Sequence, residues 1–421
     1  MKKNTIVLLA AACLLFINTF PAPADAGHGF NTGHGFNKEF LCKNKVKVMT
    51  RNLYLGADIF KVLKAAQNPN PENHGLDVPI AVAELFQTVQ YTSFPERAEA
   101  IAREIWLTRP HLIGLQEVSS WYTQSPSDFF DFSSGSPIPD PDQEPAGELV
   151  YDYLAILLEA LEARGLHYEV AVSNTNADIE LPMLTGFITI PEYPAPVPNF
   201  DDLRMVDHDV ILVRTDVDTS NPTAANYSIN LSETISGVEL QFTRGWTAVD
   251  AEVCGETYRF VNTHLEISSE PESPFRVIQA WQMQELLEIL SYETNPILLV
   301  GDFNSSPEHV PGDGCLPDEP ACFPYVPPYQ QATMYAGYLD AWDLIFWPRD
   351  GFTDSFDEFL SDPNAELTER IDLVLVKPQD NEILRAAGMT TGDKPFSMTA
   401  SGLWPSDHAG VVMRIKFTTP E

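Results

Sequence analysis

From Lys45 onward the chain alternates two kinds of segment. VKVMTRNLYL, HLIGLQEV, DHDVILVRTD, RGWTAVDAEV, YRFVNTHLEI, PILLVGDFN, IDLVLVKP and AGVVMRIKF are short and dense in Val, Ile, Leu, Phe and Thr, the pattern of buried strands. PERAEAIAREIWLT, GELVYDYLAILLEALEARG and PFRVIQAWQMQELLEIL instead repeat apolar residues every three or four positions, as one face of a helix does. Pro95 suits a helix start, Gly165 a helix end, and Asp58 an N-cap before IFKVLKAA. Strands alternating with helices predict a layered α/β sandwich. Residues 118–150 and 305–338 break the rhythm with Pro, Ser and aromatics, and read as long surface loops. No composition break follows residue 40, so 45–417 reads as one catalytic domain.

The segment before Lys45 reads differently. Lys2 and Lys3, the apolar stretch Ile6 to Phe20 and the Ala24-Asp25-Ala26 site form a secretory signal peptide over 1–26. The apolar run is short of the roughly 20 residues a membrane span needs. Residues 27–44, opening with the repeat GHGFNTGHGFN, read as a flexible lead-in. The expected protein is exported, extracellular or periplasmic, and a soluble monomer without a stable protein partner. Cleavage removes Cys13 and leaves Cys42, Cys254, Cys315 and Cys322. An even count in an exported chain reads as disulfides, with three connectivities open. Cys315 and Cys322 bracket a short Pro-rich loop and are paired, which leaves Cys42 with Cys254.

Charge narrows the chemistry. The chain has 25 Lys+Arg against 60 Asp+Glu, a formal net charge of −35. A generic polyanion-binding module is disfavoured, because clustered Lys and Arg capture phosphate backbones. An enzyme that handles phosphate through a bound cation is not.

The polar residues sit where the strands end. Asn52 ends the first, Glu117 the second and His264 a later one. Asp302 and Asn304 end PILLVGDFN, Asp372 lies in RIDLVLV, and Asp407 and His408 precede the final strand. Ligands of α/β sheets collect beyond strand ends, where loops enclose them. Each residue alone has an ordinary explanation, such as an Asx turn or a satisfied core histidine; the whole set at strand ends does not.

These residues, in TRNLYLG, IGLQEV, VNTHLE, GDFN, RIDLVLV and SDHAGV, resemble the endonuclease/exonuclease/phosphatase superfamily, from about Val46 to Phe417. That superfamily includes DNase I-like nucleases, abasic-site endonucleases, inositol polyphosphate phosphatases and sphingomyelinases. The resemblance implies a four-layer α/β sandwich, two packed and mainly antiparallel sheets flanked by helices, with the site at one end. It also implies phosphoester hydrolysis with a divalent cation, usually Mg²⁺, with Mn²⁺ or Ca²⁺ as substitutes. On that reading Asn52, Glu117 and Asp407 serve the metal. His408 is the candidate general base, oriented by Asp372, and Asp302 shares in activating water. Asn304 and His264 donate to the non-bridging oxygens, and Arg244 in TRGWTAV contacts the substrate phosphate.

The expected substrate is a phosphoester, with a lean to a lipid head group or small phosphodiester over nucleic acid. Neither long loop carries a Lys or Arg, while together they hold Trp121, Tyr122, Phe129, Phe130, Phe132, Phe323, Tyr325, Tyr329, Tyr335 and Tyr338. Exposed aromatics without cations suit a lipid interface better than a polyanion. A secreted DNase I-like nuclease is the alternative within the class. A catalytically inactive binding or adhesion module on the same fold is the alternative outside it.

Overall fold

A computed structural model describes residues 45–131, 138–139, 144–189, 191, 195–235, 238–268, 274–315, 322–346 and 350–418. The expected signal peptide, the lead-in and Cys42 lie outside the described residues. Two large sheets pack face to face, and helices cover their outer faces. The first sheet contains β1 (Lys45–Asn52), β2 (Leu112–Gln116), β3 (Ser120–Gln124), β4 (Glu148–Asp152), β5 (Tyr168–Ile188), β6 (Val197–Arg214), β15 (Ile383–Thr391) and β16 (Gly410–Phe417). Its order is β15-β16-β1-β2-β6-β3-β4, with β5 also paired to β6. The second sheet contains β7 (Asp218–Asn226), β10 (Gly245–Val253), β11 (Glu256–His264), β12 (Ile297–Asp302), β13 (Leu339–Asp340) and β14 (Asp372–Lys377), in the order β13-β14-β12-β11-β10-β7. A two-stranded ribbon, β8 (Leu231–Ile235) with β9 (Val238–Phe242), stands apart. Most pairs are antiparallel; β1–β2 and β11–β12 are parallel.

Both faces of the central strands are buried, which is why they read as continuous apolar runs. Alternate residues Val46 and Val48, Ile211 and Val213, Leu298 and Val300, and Val374 and Val376 fill the space between the sheets. Their neighbours Met49, Ile113 and Leu212 point outward into a core made with the helices α1 (Phe60–Gln67), α2 (Asp77–Tyr91), α3 (Phe94–Thr108) and α4 (Tyr153–Glu162). Leu299, Leu373 and Leu375 point the other way, against Met283 and Leu286 of α5 (Pro274–Leu290). The period-two alternation of strands thus makes four layers. Where the sheets approach most closely, a Cβ on Gly114 would lie 2.5 Å from Asn262 Oδ1 and 2.7 Å from a Val300 methyl. Only glycine fits there.

Three sequence expectations change. The helix read from Gly147 begins at Tyr153, because Asp152 Oδ1 caps Ala155 N at 2.9 Å and residues 148–152 pair with β3 instead. Both supposed loops carry structure: β3 and β4 lie within 118–150, and Gly312–Gly314 pairs with Phe323–Tyr325. The β5–β6 hairpin is far longer than DHDVILVRTD. Register shifts at three points along it break the two-residue pattern that a sequence reading relies on. Cys315 and Cys322 form a disulfide. Cys254 is disulfide-bonded too, and its expected partner Cys42 is not among the described residues. No helix among the described residues is long and apolar enough to cross a membrane.

Candidate active site

Strand register brings the candidate residues to one end of the sandwich. Thr50 pairs with Val411 and Asn52 with Gln116, so the end of β1 meets the end of β2 and the segment entering β16. In the second sheet Gly245 pairs with His264, His264 with Asp302, and Asp302 with Asp372. Four adjacent strands therefore present Arg244, His264, Asp302 and Asp372 in a row. Below them a polar layer bridges the sheets: Gln116 Nε2 donates to Asn262 Oδ1 at 2.5 Å, and Asn262 Nδ2 to Leu115 O at 2.9 Å.

The residues from the two sheets meet in one buried network. His408 Nδ1 lies 2.8 Å from Asp372 Oδ2. Its Nε2 faces Asp302 Oδ2 at 3.3 Å but is poorly aligned, so that nitrogen is buried without a hydrogen-bond partner. Asn52 Nδ2 donates to Glu117 Oε1 at 3.0 Å and to Asp302 Oδ2 at 3.3 Å, tying the halves together. Glu117 Oε2 accepts from Leu55 N at 2.7 Å. Arg244 Nη1 sits 3.0 and 3.1 Å from the two ring nitrogens of His264. Asn304 donates its amide to Leu265 O at 3.0 Å and its backbone N–H to Asp302 Oδ1 at 2.9 Å. Glu117 and Asn304 have φ of 55° and 46°, the left-handed region that non-glycine residues seldom occupy. Strain of this kind persists only where surrounding structure over-determines it.

Burial sets the protonation states. Desolvation opposes charge on His408, but the carboxylates of Asp372 and Asp302 outweigh it and hold the imidazolium well above its usual range. Burial pushes Asp302 up to about 7, with His408 pulling the other way. His264 is held neutral by burial, then by Arg244 and His408.

A cleft of about 200 Å³ opens over this network, lined in part by Asp58, Glu117, Asp207, Arg244, Glu358 and Asp407. Five carboxylates face a single arginine, although Glu358 is paired with Lys61. Among the described residues, neither supposed loop contributes to the lining; the walls come from Tyr54 to Phe60, Phe242 to Arg244 and Phe356. Half of the eight loop aromatics among the described side chains are structural: Trp121, Phe129, Tyr325 and Tyr338 are buried, whereas Tyr335 is 75% exposed. The N-cap position of α1 is Ile59 rather than Asp58; Asp58 lies one residue earlier, accepts Phe60 N at 2.9 Å and lines the cleft.

The donor set fits a hard divalent cation. Glu117, Asp407 and Asp207 offer carboxylate oxygens to the same cleft, and Mg²⁺ takes one or two such groups plus water and phosphate oxygens. Asp302, Asp372 and His408 also bring ligand atoms within 4.8 Å of one another. That cluster is a poorer nest, because the imidazolium already neutralises its carboxylates. A second acidic group, Asp128, Glu180 and Asp202, lies outside the lining of the cleft.

Several residues at the site escaped the sequence reading. Asp207 and Asp209 lie two apart on β6, and the acidic DHD before an apolar run was the available signal. Asp207 bonds Ser119 Oγ at 3.2 Å, and burial together with Glu117 raises it to about 6. Asp209 is fully buried, and burial with Asp207 alongside holds its pKa well above the usual range although Asn176 pulls the other way. Arg51 and Arg97 hold the loops. Arg51 donates to the carbonyl of His408 and pairs with Glu104 at 3.1 Å. Arg97 donates to the carbonyls of Thr92, Leu53, Pro405 and Tyr54. Replacing Arg97 with Met strands these buried acceptors, at about 1–3 kcal/mol each. The variant is expected to lose at least about 3 kcal/mol, read as a lower denaturant midpoint; an unchanged midpoint would show that the clamp is dispensable.

The raised carboxylates also fix the pH dependence of the metal-free fold. Asp207 at about 6, Asp302 at about 7 and Asp393 at about 8 all stand above the about 3.9 of an unfolded aspartate. A raised pKa contributes stability below the unfolded value and loses it as pH rises through the folded value. His408, also raised, acts in the same direction. The melting temperature in EDTA should therefore fall by several degrees between pH 5 and 8, with divalent cation restoring most at the alkaline end. A flat or rising profile would contradict these protonation states.

The sequence matches the Endonuclease/Exonuclease/phosphatase family over residues 77–408. Among solved structures, an endonuclease/exonuclease/phosphatase family protein from Bacteroides thetaiotaomicron is similar at 15% identity and a TM-score of 0.48, covering 89% of this chain and 98% of that one. A mannosyl-6-phosphatase from the same species is similar at 17% identity and 0.45, covering 89% and 100%. TDP2 from C. elegans is similar at 16% identity and 0.43, covering 89% and 76%. No curated protein sequence matches the chain. With the family matched over most of its length, including the end of β2 that carries Glu117 and the His408 that faces Asp302, the chain belongs to the endonuclease/exonuclease/phosphatase family.

Proposed function

We propose that this protein is an exported, divalent-metal-dependent phosphodiester hydrolase acting on small diesters rather than on nucleic acid. Members of the family are phosphoester hydrolases. The observation that carries the finer reading is the pairing of the His408–Asp372–Asp302 network with a cleft lined by five carboxylates. Mg²⁺, when bound, supplies charge neutralisation for the phosphoryl oxygens and the leaving alkoxide. Glu117, hydrogen-bonded by Asn52, and Asp407 would hold it.

The remaining chemistry belongs to side chains. His408, kept protonated by Asp372 and Asp302, is not the base in this resting state. Asp302, with a pKa of about 7, is the group that takes a proton from water near neutral pH. His408, as the imidazolium 3.3 Å away, stabilises the charge on the Asp302 carboxylate before that transfer and keeps its own protons. Arg244 meets the non-bridging oxygens at the cleft wall, with neutral His264 buried against it, while Asn304 fixes Asp302 from below. Among the described residues the cleft lining supplies one arginine and no second cation, a poor match to a polyphosphate backbone that needs repeated cationic contacts.

The test is a turnover panel at one salt concentration, with and without EDTA: bis-p-nitrophenyl phosphate, choline phospholipid vesicles and duplex DNA. Metal-dependent hydrolysis of the small diester, with DNA slower in kcat/KM, is expected. A clear preference for DNA would overturn the substrate reading, and no hydrolysis of any diester with metal present would overturn the activity.

A further inference from the structure

The acidic cleft does not end at its polar floor. An apolar recess of about 50 Å³ continues from it, and Ile59, Met205 and Phe242 line both spaces. Beyond these three the recess runs between α1 and α2 on one side and β3, β5 and β6 on the other, with walls that include Leu63, Val82, Trp121 and Leu203. Every side chain lining it is aliphatic, aromatic or Met. Protein interiors are packed at crystal density, and gaps of this kind are few. One that is apolar stays dry and takes hydrocarbon. Ligand sites typically combine such a surface with a few polar groups that fix orientation. Here the polar groups, Glu117, Arg244 and Asp407, line the adjoining cleft.

We propose that this recess is a subsite for an apolar ester group, a short alkyl chain or single aromatic ring, on the phosphate bound in the cleft. The proposal rests on the phosphodiesterase reading and deepens it. An ester group bonded to that phosphate is the occupant because the recess opens from the phosphate-binding cleft itself and offers no polar wall to a sugar. Its size limits the group to a few carbons, too few for the full length of a lipid chain. The occupant therefore selects for small hydrophobic diesters and against nucleotides, whose hydroxylated riboses would lose their hydrogen bonds with water on entry.

Alkylphosphonates test this without the ambiguity of which ester leaves. With Mg²⁺ present, methyl-, propyl-, butyl-, hexyl- and phenylphosphonate are compared as competitive inhibitors of bis-p-nitrophenyl phosphate turnover, and in parallel by the rise in melting temperature each produces. Ki is expected to fall about four-fold per methylene as the recess fills, then to level off. Phenylphosphonate should bind well ahead of methylphosphonate. Leu63→Ala, which widens the recess, should move the plateau to longer chains, and Val82→Leu, which narrows it, to shorter ones. The readout is the ratio of Ki for each chain to that for methyl, which a general loss of activity does not move. A flat series with turnover intact overturns the subsite alone, as does a slope that neither variant changes. Absence of both turnover and methylphosphonate inhibition overturns the phosphodiesterase reading, and the subsite with it.

Discussion

Glu117→Gln is expected to abolish turnover and divalent-cation binding and to leave the fold standing. Glu117 is buried at the end of β2, and its two oxygens accept from Asn52 Nδ2 and Leu55 N. Glutamine has the same shape and keeps one of those acceptors, so packing should survive. What disappears is the negative charge that a hard cation needs in the cleft. Losing that cation removes several kcal/mol of charge stabilisation in the transition state, a factor of at least about 10³ in rate. Titration calorimetry with Mg²⁺ or Mn²⁺, beside turnover and a thermal melt, separates the outcomes. Activity that survives both EDTA and the substitution would sink the metal mechanism.

His408→Ala and Asp372→Asn should each cost about 10²–10⁴-fold in rate, the range of general acid–base catalysis. The 2.8 Å contact between His408 Nδ1 and Asp372 Oδ2 fixes the ring, and the carboxylate is what keeps the imidazole charged in spite of burial. Asparagine in its place removes the charge and keeps the volume. The double variant should be little worse than the worse single, since the two act as a unit. Losses that multiply would show independent roles. The pH profile adds a second readout: Asp372→Asn should lower the pKa of His408 and move the limb that reports it, whereas a purely structural change would scale the profile without moving it.

Much of this cluster was legible in the sequence because its candidate residues end apolar runs. GLQEV, VNTH and LLVGDFN each carry an apolar strand straight into a polar side chain, and strand register then puts those ends together. The sequence also made three of the helices plain. It did not reveal Arg51 or Arg97, because a buried arginine that bonds to carbonyls has no pattern of its own; apart from Thr92, the carbonyls they reach are 43 to 357 residues away. Asp207 and Asp209 were hidden for a different reason. They lie on a hairpin whose register shifts blur its alternation, so the acids looked like the ragged start of a short strand. The loop aromatics misled, since composition cannot distinguish Trp121 packed in a wall from Tyr335 in water.

The antiparallel pairing of β1 with β16 sets when activity can appear. Asn52 closes one strand and His408 leads into the other, and Arg51 reaches across to the His408 carbonyl. A nascent chain holds Asn52 and Glu117 for most of its synthesis with no histidine–aspartate dyad opposite them. Catalysis begins only when residues 410–417 dock between β1 and β15. Fragments that stop before that strand, whether from stalled synthesis or a protease, are expected to be inactive, so that chain order by itself delays activity until the last strand is in place.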